Sequence, residues 1–190
     1  EKRSAVSGNL GLVYDFIENN HLSLNYGKAF RMPTSEELFT EIISCKGTKI
    51  GNPQLKPEYS NNFDFGLRGK LFNSRFKYDI ALFYNIMDGY INEAPETSNP
   101  SIDFTYDNTD AVIMGGETSI AYSIYQLFNN SDNLNFYAGG SYVYGIDKAG
   151  VSNQALFGIP PFNSRLKLEY KSLLHNISYP DSYNVAFEMD

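Results

Sequence analysis

Residues 74–87 alternate between apolar and polar side chains almost without interruption. The apolar positions are Phe76, Tyr78, Ile80, Leu82, Tyr84 and Ile86, and the positions between them are Arg75, Lys77, Asp79, Ala81, Phe83 and Asn85. Successive side chains of a β-strand point to opposite faces, so the pattern predicts a strand with one apolar and one polar face. Twelve such residues span about 40 Å, whereas the usual strand has about 5–6 residues. Long two-faced strands are typical of barrels that cross a membrane.

The same alternation recurs along most of the chain. Apolar residues fall mostly on every second position in seven further segments, namely 10–16, 22–26, 63–71, 112–124, 134–144, 162–170 and 183–189. No segment of comparable length shows the three-and-four spacing of a helix. The sequence therefore predicts an all-β fold, an antiparallel up-and-down meander of about eight long strands that forms a segment of a transmembrane β-barrel.

Composition argues against several other classes of protein. The 190 residues suit one domain and include 15 Tyr and 14 Phe but no Trp, with a mean hydropathy of -0.35. No run of about 18 apolar residues is present, so no transmembrane helix is predicted. The net charge of -7 disfavours nucleic acid as a partner, because phosphate binding needs clustered Lys and Arg. Cys45 is the only cysteine, which excludes an intrachain disulfide and a thiolate metal cluster.

Short and long connections alternate between the expected strands. Tight turns are predicted at residues 18–20 and 72–74 and a somewhat longer one at 125–133, whereas long loops are predicted at 31–58, 93–106 and 147–161. Outer-membrane barrels show this asymmetry, with short turns on the periplasmic side and long loops outside. A soluble meander has no reason to keep it.

The first long loop carries local structure of its own. Thr34 and Glu37 have the spacing of a capping box, which predicts a short helix that continues through Leu38 to Ile43. Gly51-Asn52-Pro53 is typical of a turn. A loop of this length within a compact domain is usually functional.

Carboxylates on the polar faces are the candidates for catalysis, and they are Asp64, Asp79, Glu117 and Glu169. A pair of carboxylates about 5–9 Å apart could hydrolyse a glycosidic bond. Charged residues are, however, the default on the wall of a barrel lumen. Basic residues on the same faces could pair with these carboxylates, and they are Arg68, Lys70, Arg165 and Lys167. We therefore predict that the protein is not an enzyme.

Metal and cofactor sites are not predicted, and the expected cofactors are none. His21 and His175 have no companion ligand at a useful spacing. Residues 107–110 share Asp and Asn with calcium loops but lack the downstream glycine and glutamate, so a turn is predicted there.

Several motifs resemble the barrel of the TonB-dependent outer-membrane receptors. Residues 26–39 read YGKAFRMPTSEELF, and residues 51–60 read GNPQLKPEYS. In that family an aromatic-Arg-x-Pro-Ser-like segment precedes Gly-Asn-Pro-x-Leu-x-Pro-Glu, which leads into a strand that ends in Gly-Leu or similar, here Gly66-Leu67.

Further motifs follow in the order that the family shows. FYNIMDGYI at residues 83–91 resembles the family's strand end with an aromatic residue, Asn or Arg, Asp and Ile. YDN at 106–108 with Gly116-Glu117 resembles its Asn…Gly-x-Glu strand, and IPPF at 159–162 resembles its Ile-Pro-Pro approach to another strand. The resemblance covers roughly residues 5–172. Beyond it either a turn or a departure from the family's geometry is expected at 179–181, because Pro180 cannot donate to a strand ladder.

The resemblance implies that residues 1–190 are a partial TonB-dependent receptor β-barrel domain. Full receptors of the family have a 22-stranded barrel, an N-terminal plug and a short energy-coupling box. We expect a partial chain, because neither the plug nor the box is found here and Met189-Asp190 replaces the usual terminal aromatic residue.

As a function, the resemblance implies a receptor and transporter in the bacterial outer membrane that takes up a scarce nutrient, such as an iron-siderophore, haem, cobalamin or a glycan. Its expected partners are the lipid bilayer of the outer membrane, the nutrient ligand, and the TonB complex, which supplies energy through a plug absent from this chain. The apolar faces would meet lipid and the ionic faces a water-filled interior.

The loops 31–58 and 93–106 would form the ligand vestibule. Candidates for residues that face the lumen, the plug or the vestibule are Arg31, Glu36, Asn52, Glu58, Asn108, Glu117 and Arg165. Arg31 and Glu117 are expected to face the lumen and to hold the plug, and Glu117, beside two glycines, is expected to be buried and hydrogen-bonded.

A second hypothesis remains open. About eight strands would also build a self-contained small barrel, either a membrane anchor or a soluble, lipocalin-like ligand carrier. The absence of Trp weakens the carrier, because lipocalins place one near their start. The receptor motifs in the loops and the missing terminal aromatic residue weaken the anchor.

Overall fold

A computed structural model describes residues 6–44, 47–95, 99, 101–128, 130–148, 154–156, 158–176 and 179–189. Cys45 lies outside the described residues. The strands are β1 (Gly8–Ile17), β2 (Asn20–Arg31), β3 (Glu41–Ser44), β4 (Gly47–Ile50), β5 (Glu58–Leu71), β6 (Phe76–Pro95), β7 (Phe104–Tyr125), β8 (Asn133–Asp147), β9 (Gln154–Ala155), β10 (Asn163–Asn176) and β11 (Tyr179–Met189), and the helix is α1 (Ser35–Phe39).

Eight long strands form the main sheet, in the order β1-β2-β5-β6-β7-β8-β10-β11. Each pairs antiparallel with its neighbours, so the predicted up-and-down meander of about eight strands is confirmed. Three short strands are added at one rim: β3 pairs with β4, β4 runs parallel to the start of β7, and β9 pairs with β8. The described part of the chain contains no helix that is long and apolar enough to cross a membrane.

The sheet has two chemically different faces. Directly opposed residues on paired strands point to the same side, so the register defines rows that run across the sheet. One row on the apolar face contains Leu12, Leu24, Phe65, Leu82, Gly116 and Tyr142, and the adjacent row on the polar face contains Ser23, Gly66, Ala81, Glu117, Ser141 and Asn163. Leu82 is 50% exposed and Tyr84 is 40% exposed, so the apolar face does not line a closed dry core.

Tight turns form one rim of the sheet, as predicted. β1 and β2 are joined through Glu18 and Asn19, and β5 and β6 through residues 72–75. Asn20 is only 1% exposed and links the two turns, because its Nδ2 donates to the carbonyl oxygens of Glu18 at 2.8 Å and Lys70 at 3.2 Å. The hydroxyl of Tyr78 donates to Asn20 Oδ1 at 2.7 Å. We call this edge the short-turn rim and the opposite edge the long-loop rim.

The first long loop is more ordered than the sequence predicted. The expected capping box at Thr34 is confirmed, but α1 ends at Phe39 rather than continuing to Ile43. Residues 41–44 and 47–50 instead pair as the antiparallel strands β3 and β4. Ile42 and Ile43 are β-branched and favour extended backbone, which is the local reason why the helix stops.

Strands β6 and β7 extend further into the expected loop 93–106 than predicted. They stay paired up to Pro95 and Phe104, so the motif at residues 83–91 lies within β6 rather than at its end. Residues 107–110 lie in β7, and the prediction of a turn there is wrong. Their Asp and Asn side chains bind neighbouring strands and loops, as described below, instead of closing a local turn.

Of the two alternatives expected at residues 179–181, the turn is wrong, because these residues lie in β11. Pro180 is the second residue of β11 and lies opposite His175 of β10. Because β11 is the last strand of the sheet, Pro180 occupies an edge position, where the missing backbone donor is tolerated.

Candidate functional site

The long-loop rim holds the most elaborate side-chain network in the described chain. We use the name rim cap for residues 32–57, of which 45 and 46 are not described. The rim cap contains α1, β3 and β4, and it begins and ends where β2 and β5 are paired.

Arg31 and Glu58 close the base of the rim cap. They are register partners at the ends of β2 and β5. Two hydrogen bonds join them, Nε to Oε2 at 2.7 Å and Nη2 to Oε1 at 2.9 Å. Glu58 is only 5% exposed, and its Oε1 also accepts from the backbone N–H of Ile91 at 2.6 Å. The ion pair therefore connects β2, β5 and β6 at one point.

Arg31 also holds the helix of the rim cap. Its Nη1 donates to Glu37 Oε2 at 2.8 Å. The same oxygen accepts from the backbone N–H of Thr34 at 2.7 Å, while Thr34 Oγ1 accepts from the Glu37 N–H at 3.2 Å. Glu37 thus serves both as a partner in the capping box and as a second anion for Arg31.

These contacts perturb the acid–base behaviour of both groups. The hydrogen bonds from Arg31 to Glu58 and Glu37 raise the pKa of the guanidinium above its usual value. Burial opposes ionisation of Glu37, but the hydrogen bonds from Arg31 and Thr34 outweigh it and lower the pKa of this carboxyl. Arg31 and Glu37 are therefore both ionised near neutral pH.

Asn52 fastens the middle of the rim cap to β7. Its Nδ2 donates to the carbonyl oxygen of Tyr106 at 3.0 Å and to Asp107 Oδ1 at 3.1 Å. Its Oδ1 accepts from the Gln54 N–H at 2.9 Å, which forms the predicted turn. Gly51 allows the close approach to α1, because a Cβ at this position would lie 2.7 Å from the nitrogen of Phe39.

Asn108 fastens the end of the rim cap from the side of β7. Its Oδ1 accepts from the Lys56 N–H at 2.7 Å, and its Nδ2 donates to the carbonyl oxygens of Lys56 at 3.0 Å and Gly89 at 2.7 Å. One amide side chain thus satisfies three backbone groups on two segments far apart in sequence. This arrangement explains why Asn, and not an apolar residue, occupies position 108.

Gly89 forms a β-bulge beside Asn108. The pairing of β6 with β7 shifts by one residue between Met87 and Tyr90. Gly89 has φ +67°, in the left-handed region that glycine adopts most readily, and its N–H donates to Asp110 Oδ1 at 3.1 Å.

A small apolar cluster and an ion pair complete the rim. Leu55, Ile91 and Tyr106 are buried together, with Leu38 of α1 packed against them. Lys49 Nζ lies 2.6 Å from Glu93 Oε2 and 4.5 Å from the ring centroid of Tyr106. Burial disfavours the charged amine, but the bonds to Glu93 and Tyr106 outweigh it and raise the pKa of Lys49.

The polar face of the sheet carries the remaining candidates. Glu117 is exposed on this sheet, because its neighbours in the row, Ala81 and Ser141, are too short to cover it, and its burial against the plug stays a prediction. Arg165 is also exposed and lies 3.4 Å from Glu188. Both line a shallow depression that includes Arg68 and Asp79.

Two of the four candidate carboxylates of this face, Asp79 and Glu169, are engaged in ion pairs. Asp79 Oδ2 lies 2.5 Å from Arg68 Nε, and Glu169 lies between Lys167 at 3.4 Å and Lys171 at 2.9 Å. Pairing of this kind favours a structural role over catalysis. Within the described ranges, no group of three or more His, Cys, Asp and Glu residues is placed to hold a metal ion.

Most residues of the rim network could be predicted from the sequence, but their contacts with one another could not. The structure brings together Arg31, Glu58, Asn52 and Asn108, whereas Glu36 is exposed on α1, and Glu117 and Arg165 lie on the polar face of the sheet. The missed members are Lys49, Gly89, Glu93 and Asp110. An Asp-Gly pair inside a long alternating segment is the signal that could have indicated the bulge.

Comparison with known proteins gives a family match over nearly the whole chain. A sequence model described as "TonB dependent receptor-like, beta-barrel" matches residues 1–187. The vitamin B12 transporter BtuB of Photobacterium profundum is 26% identical over 186 residues, which are 92% of this chain and 28% of that protein. The chain therefore spans less than a third of that relative's length.

Solved structures share the fold. The copper transporter OprC superposes with a TM-score of 0.68 and 24% identity, over 86% of this chain and 24% of that one. The pyoverdine outer membrane receptor FpvA from Pseudomonas aeruginosa PAO1, bound to pyoverdine, superposes with a TM-score of 0.53 and 16% identity, over 96% of this chain and 28% of that one.

Proposed function

This chain belongs to the TonB-dependent receptor family, and from that premise we propose that it forms part of the barrel wall of a transporter that takes up a scarce nutrient across the bacterial outer membrane. The family consists of transporters rather than enzymes. Residues 1–190 would then be a partial barrel domain.

The main support for the proposal is the height of the apolar face, measured perpendicular to the expected membrane plane. One row of this face contains Leu71, Phe76, Tyr122, Phe136, Leu168 and Phe187, and another contains Leu10, Tyr26, Phe63, Tyr84, Met114 and Tyr144. The rows are eight residues apart in β6, which is about 26 Å along the strand and about 20 Å vertically at a tilt of about 40°. Outer-membrane barrels have an apolar band of about 25 Å flanked by aromatic girdles.

Side-chain exposure supports the same orientation. Phe63, Tyr84, Phe136 and Phe187 are 40–65% exposed on the apolar face. Lipid would cover such rings, whereas a water-soluble protein would have to leave them in solvent. The polar face would then line the lumen, with the long-loop rim outside the cell and the short-turn rim in the periplasm.

We assign the candidate residues to two places in this transporter. Arg31, Glu36, Asn52 and Glu58 belong to the rim cap or to its base, and Asn108 of β7 holds the end of the rim cap, so a ligand would arrive at all five. Glu117 and Arg165 would face the lumen and the plug. The plug and the segment that contacts TonB would lie in a part of the receptor outside these residues.

The nutrient is proposed only as a class, namely an iron-siderophore, haem, cobalamin or a glycan. The relatives carry names that refer to vitamin B12, copper and pyoverdine, which are chemically unlike one another. We therefore propose uptake of some scarce compound with energy from TonB, and no single compound.

The test compares two neighbouring substitutions in the full-length receptor. Leu82→Arg puts a cation on the apolar face between the two aromatic rows, where the cost rises to about 2–4 kcal/mol at the middle of the band, whereas Ala81→Arg puts it on the polar face opposite Gly66 and Glu117. We expect Leu82→Arg to reduce the amount of folded receptor in outer membranes and Ala81→Arg to leave it near wild type. Equal assembly of both variants, or the reverse order, would contradict the assignment of faces.

A further inference from the structure

A lysine interrupts the apolar face of the sheet on the side of the long-loop rim. Lys28 of β2 shares this face with Tyr26 and lies one row closer to the long-loop rim, where its register partners are Gly8 and Asn61. It is exposed, and it forms no ion pair with any residue in the described ranges. A charge is costly in the middle of an apolar band and tolerated at its edge, so Lys28 marks the level where lipid headgroups begin.

An apolar groove runs along the same face, directly between Lys28 and the middle of the band. Its volume is about 510 Å³, and the side chains along it include Leu10, Leu12, Leu24, Tyr26 and Phe63. The rings of Tyr26 and Phe63 pack against each other at its upper end, with centroids 5.2 Å apart. Hydrocarbon walls of this kind favour an apolar ligand, because its contact surface leaves water or mobile lipid for a fixed site.

The surroundings of Lys28 suit an anionic group. A Cβ at Gly8 would meet nothing within 4 Å, so the space beside the lysine is open. On its other side, the hydroxyl of Tyr26 donates to Asn61 Oδ1 at 2.9 Å, which leaves Asn61 Nδ2 as a donor within the described part of the chain. An ammonium group and an amide donor side by side are well suited to the oxygens of a phosphate.

We propose that Lys28 and the groove form a binding site for one anionic, phosphate-bearing lipid of the membrane leaflet next to the long-loop rim. An acyl chain lies in the groove, and the phosphate binds the ammonium group of Lys28. This inference rests on the proposed function, in which the apolar face meets lipid.

Two observations favour a lipid over a protein as the occupant. The groove is continuous with the rest of the lipid-facing surface, so acyl chains reach it without displacing anything else. A second copy of the chain, or another protein, would have to bury Lys28 and supply a carboxylate to pair with it. A lipid leaflet supplies phosphate at this level all around a barrel.

Site-specific photo-cross-linking of the full-length receptor tests the proposal. The photoreactive residue p-benzoylphenylalanine replaces Leu24, which lies in the groove. The receptor is reconstituted into vesicles of equimolar dioleoylphosphatidylglycerol and dioleoylphosphatidylcholine, which have the same acyl chains but differ in net charge. Mass spectrometry then identifies the lipid attached at position 24. We expect about fivefold more phosphatidylglycerol than phosphatidylcholine, as one lysine near an anionic headgroup provides.

Three further variants, each combined with the photoreactive residue, separate the charge of Lys28 from its packing. Lys28→Gln should abolish the preference and leave equal labelling of both lipids. Gly8→Glu keeps the lysine but places a carboxylate directly opposite it, and should have the same effect. The matched control is Lys77→Gln, because Lys77 is also an exposed strand lysine but lies on the polar face. It should retain the full preference.

Several results would overturn the inference. They are equal labelling by the receptor with Lys28 intact, a preference that survives Lys28→Gln, and an equal loss in Lys77→Gln. Cross-links from position 24 to a second receptor instead of lipid would assign the groove to a protein interface. Inorganic phosphate, added at constant ionic strength, should leave the preference unchanged, and its loss would indicate a site for free phosphate.

The same measurement distinguishes failure of this inference from failure of the proposed function. Labelling of both lipids without preference refutes the anionic site and leaves the apolar face in contact with lipid. If no lipid is attached at position 24, the orientation of the faces is wrong, and the transporter assignment that depends on it fails as well.

Discussion

Arg31, the last residue of β2, forms an ion pair with Glu58, the first residue of the neighbouring strand β5. Two hydrogen bonds make this pair, from Nε to Oε2 at 2.7 Å and from Nη2 to Oε1 at 2.9 Å. The same carboxylate accepts from the Ile91 N–H, and the same guanidinium binds Glu37 of the short helix. Four segments of the rim thus depend on one charged pair. Its removal should loosen the rim cap without unfolding the long strands.

Substitution of Glu58 by Gln should expose the rim cap to solvent exchange. The change removes the anion that Arg31 holds, at a cost of about 1–2 kcal/mol, because Arg31 is 42% exposed and solvent screens part of the interaction. Hydrogen exchange at residues 32–44 and 47–57 should accelerate, while exchange in β7 and β8 should not change. Glu36→Gln, on the exposed side of α1, is the matched control, and equal acceleration in both variants would contradict the assigned role.

Substitution of Asn108 by Ala should release the end of the rim cap. Three hydrogen bonds to the backbone of Lys56 and Gly89 are lost, and we expect local destabilisation of about 2–3 kcal/mol. The Lys56 amide should lose its protection against exchange first. Asp107→Ala removes only one acceptor of Asn52, which keeps its bond to Tyr106, so its effect should be clearly smaller.

Substitution of Gly89 by Ala should strain the bulge. The left-handed conformation at φ +67° costs a residue with a Cβ about 1–2 kcal/mol, and the Cβ would also lie 3.3 Å from the Pro57 carbonyl oxygen. Gly158→Ala is the control, because Gly158 also has positive φ but open space around its Cβ position. If thermal unfolding shows Gly158→Ala to be the more costly change, the contact with Pro57 has no energetic weight.

Acid should open the rim cap below the pH range in which a free glutamate titrates. Because folding lowers the pKa of Glu37, its contribution to stability is complete above the unfolded pKa of about 4.3 and is lost as pH falls through the lower folded value. Amide exchange, corrected for its intrinsic pH dependence, should show the Glu37 N–H protected at pH 5 and progressively unprotected below pH of about 4. Glu37→Gln should flatten this dependence, and a midpoint above that of free glutamate would refute the sign.

The long strands were predictable because each of them has one apolar and one polar face along most of its length. Alternation at positions such as Ile80, Leu82 and Tyr84 reports a face that is apolar over the full height of the sheet. The alternation requires apolar residues to stay opposite one another on neighbouring strands, and the lengths of the connecting turns select one register among those that do so. No other information was needed for the order of the eight main strands.

The rim was less predictable because its stability comes from contacts distant in sequence. Asp107 and Asn108 have the composition of a turn, yet they stay in β7 because partners at Asn52 and Lys56 bind their side chains. The capping box at Thr34 could be identified because all its parts lie within four residues. The β3–β4 hairpin could not, since it depends on packing beside β7.

The extra residue at Gly89 has a consequence for every side chain of β6 beyond it. Odd-numbered residues up to Met87 share a side with Ala111 of β7, but beyond the bulge the even-numbered Tyr90 shares that side with Thr109. The rule that assigns inside and outside by parity changes phase at this point. A mutational scan interpreted in a single phase would reverse the meaning of each position from Tyr90 to Pro95.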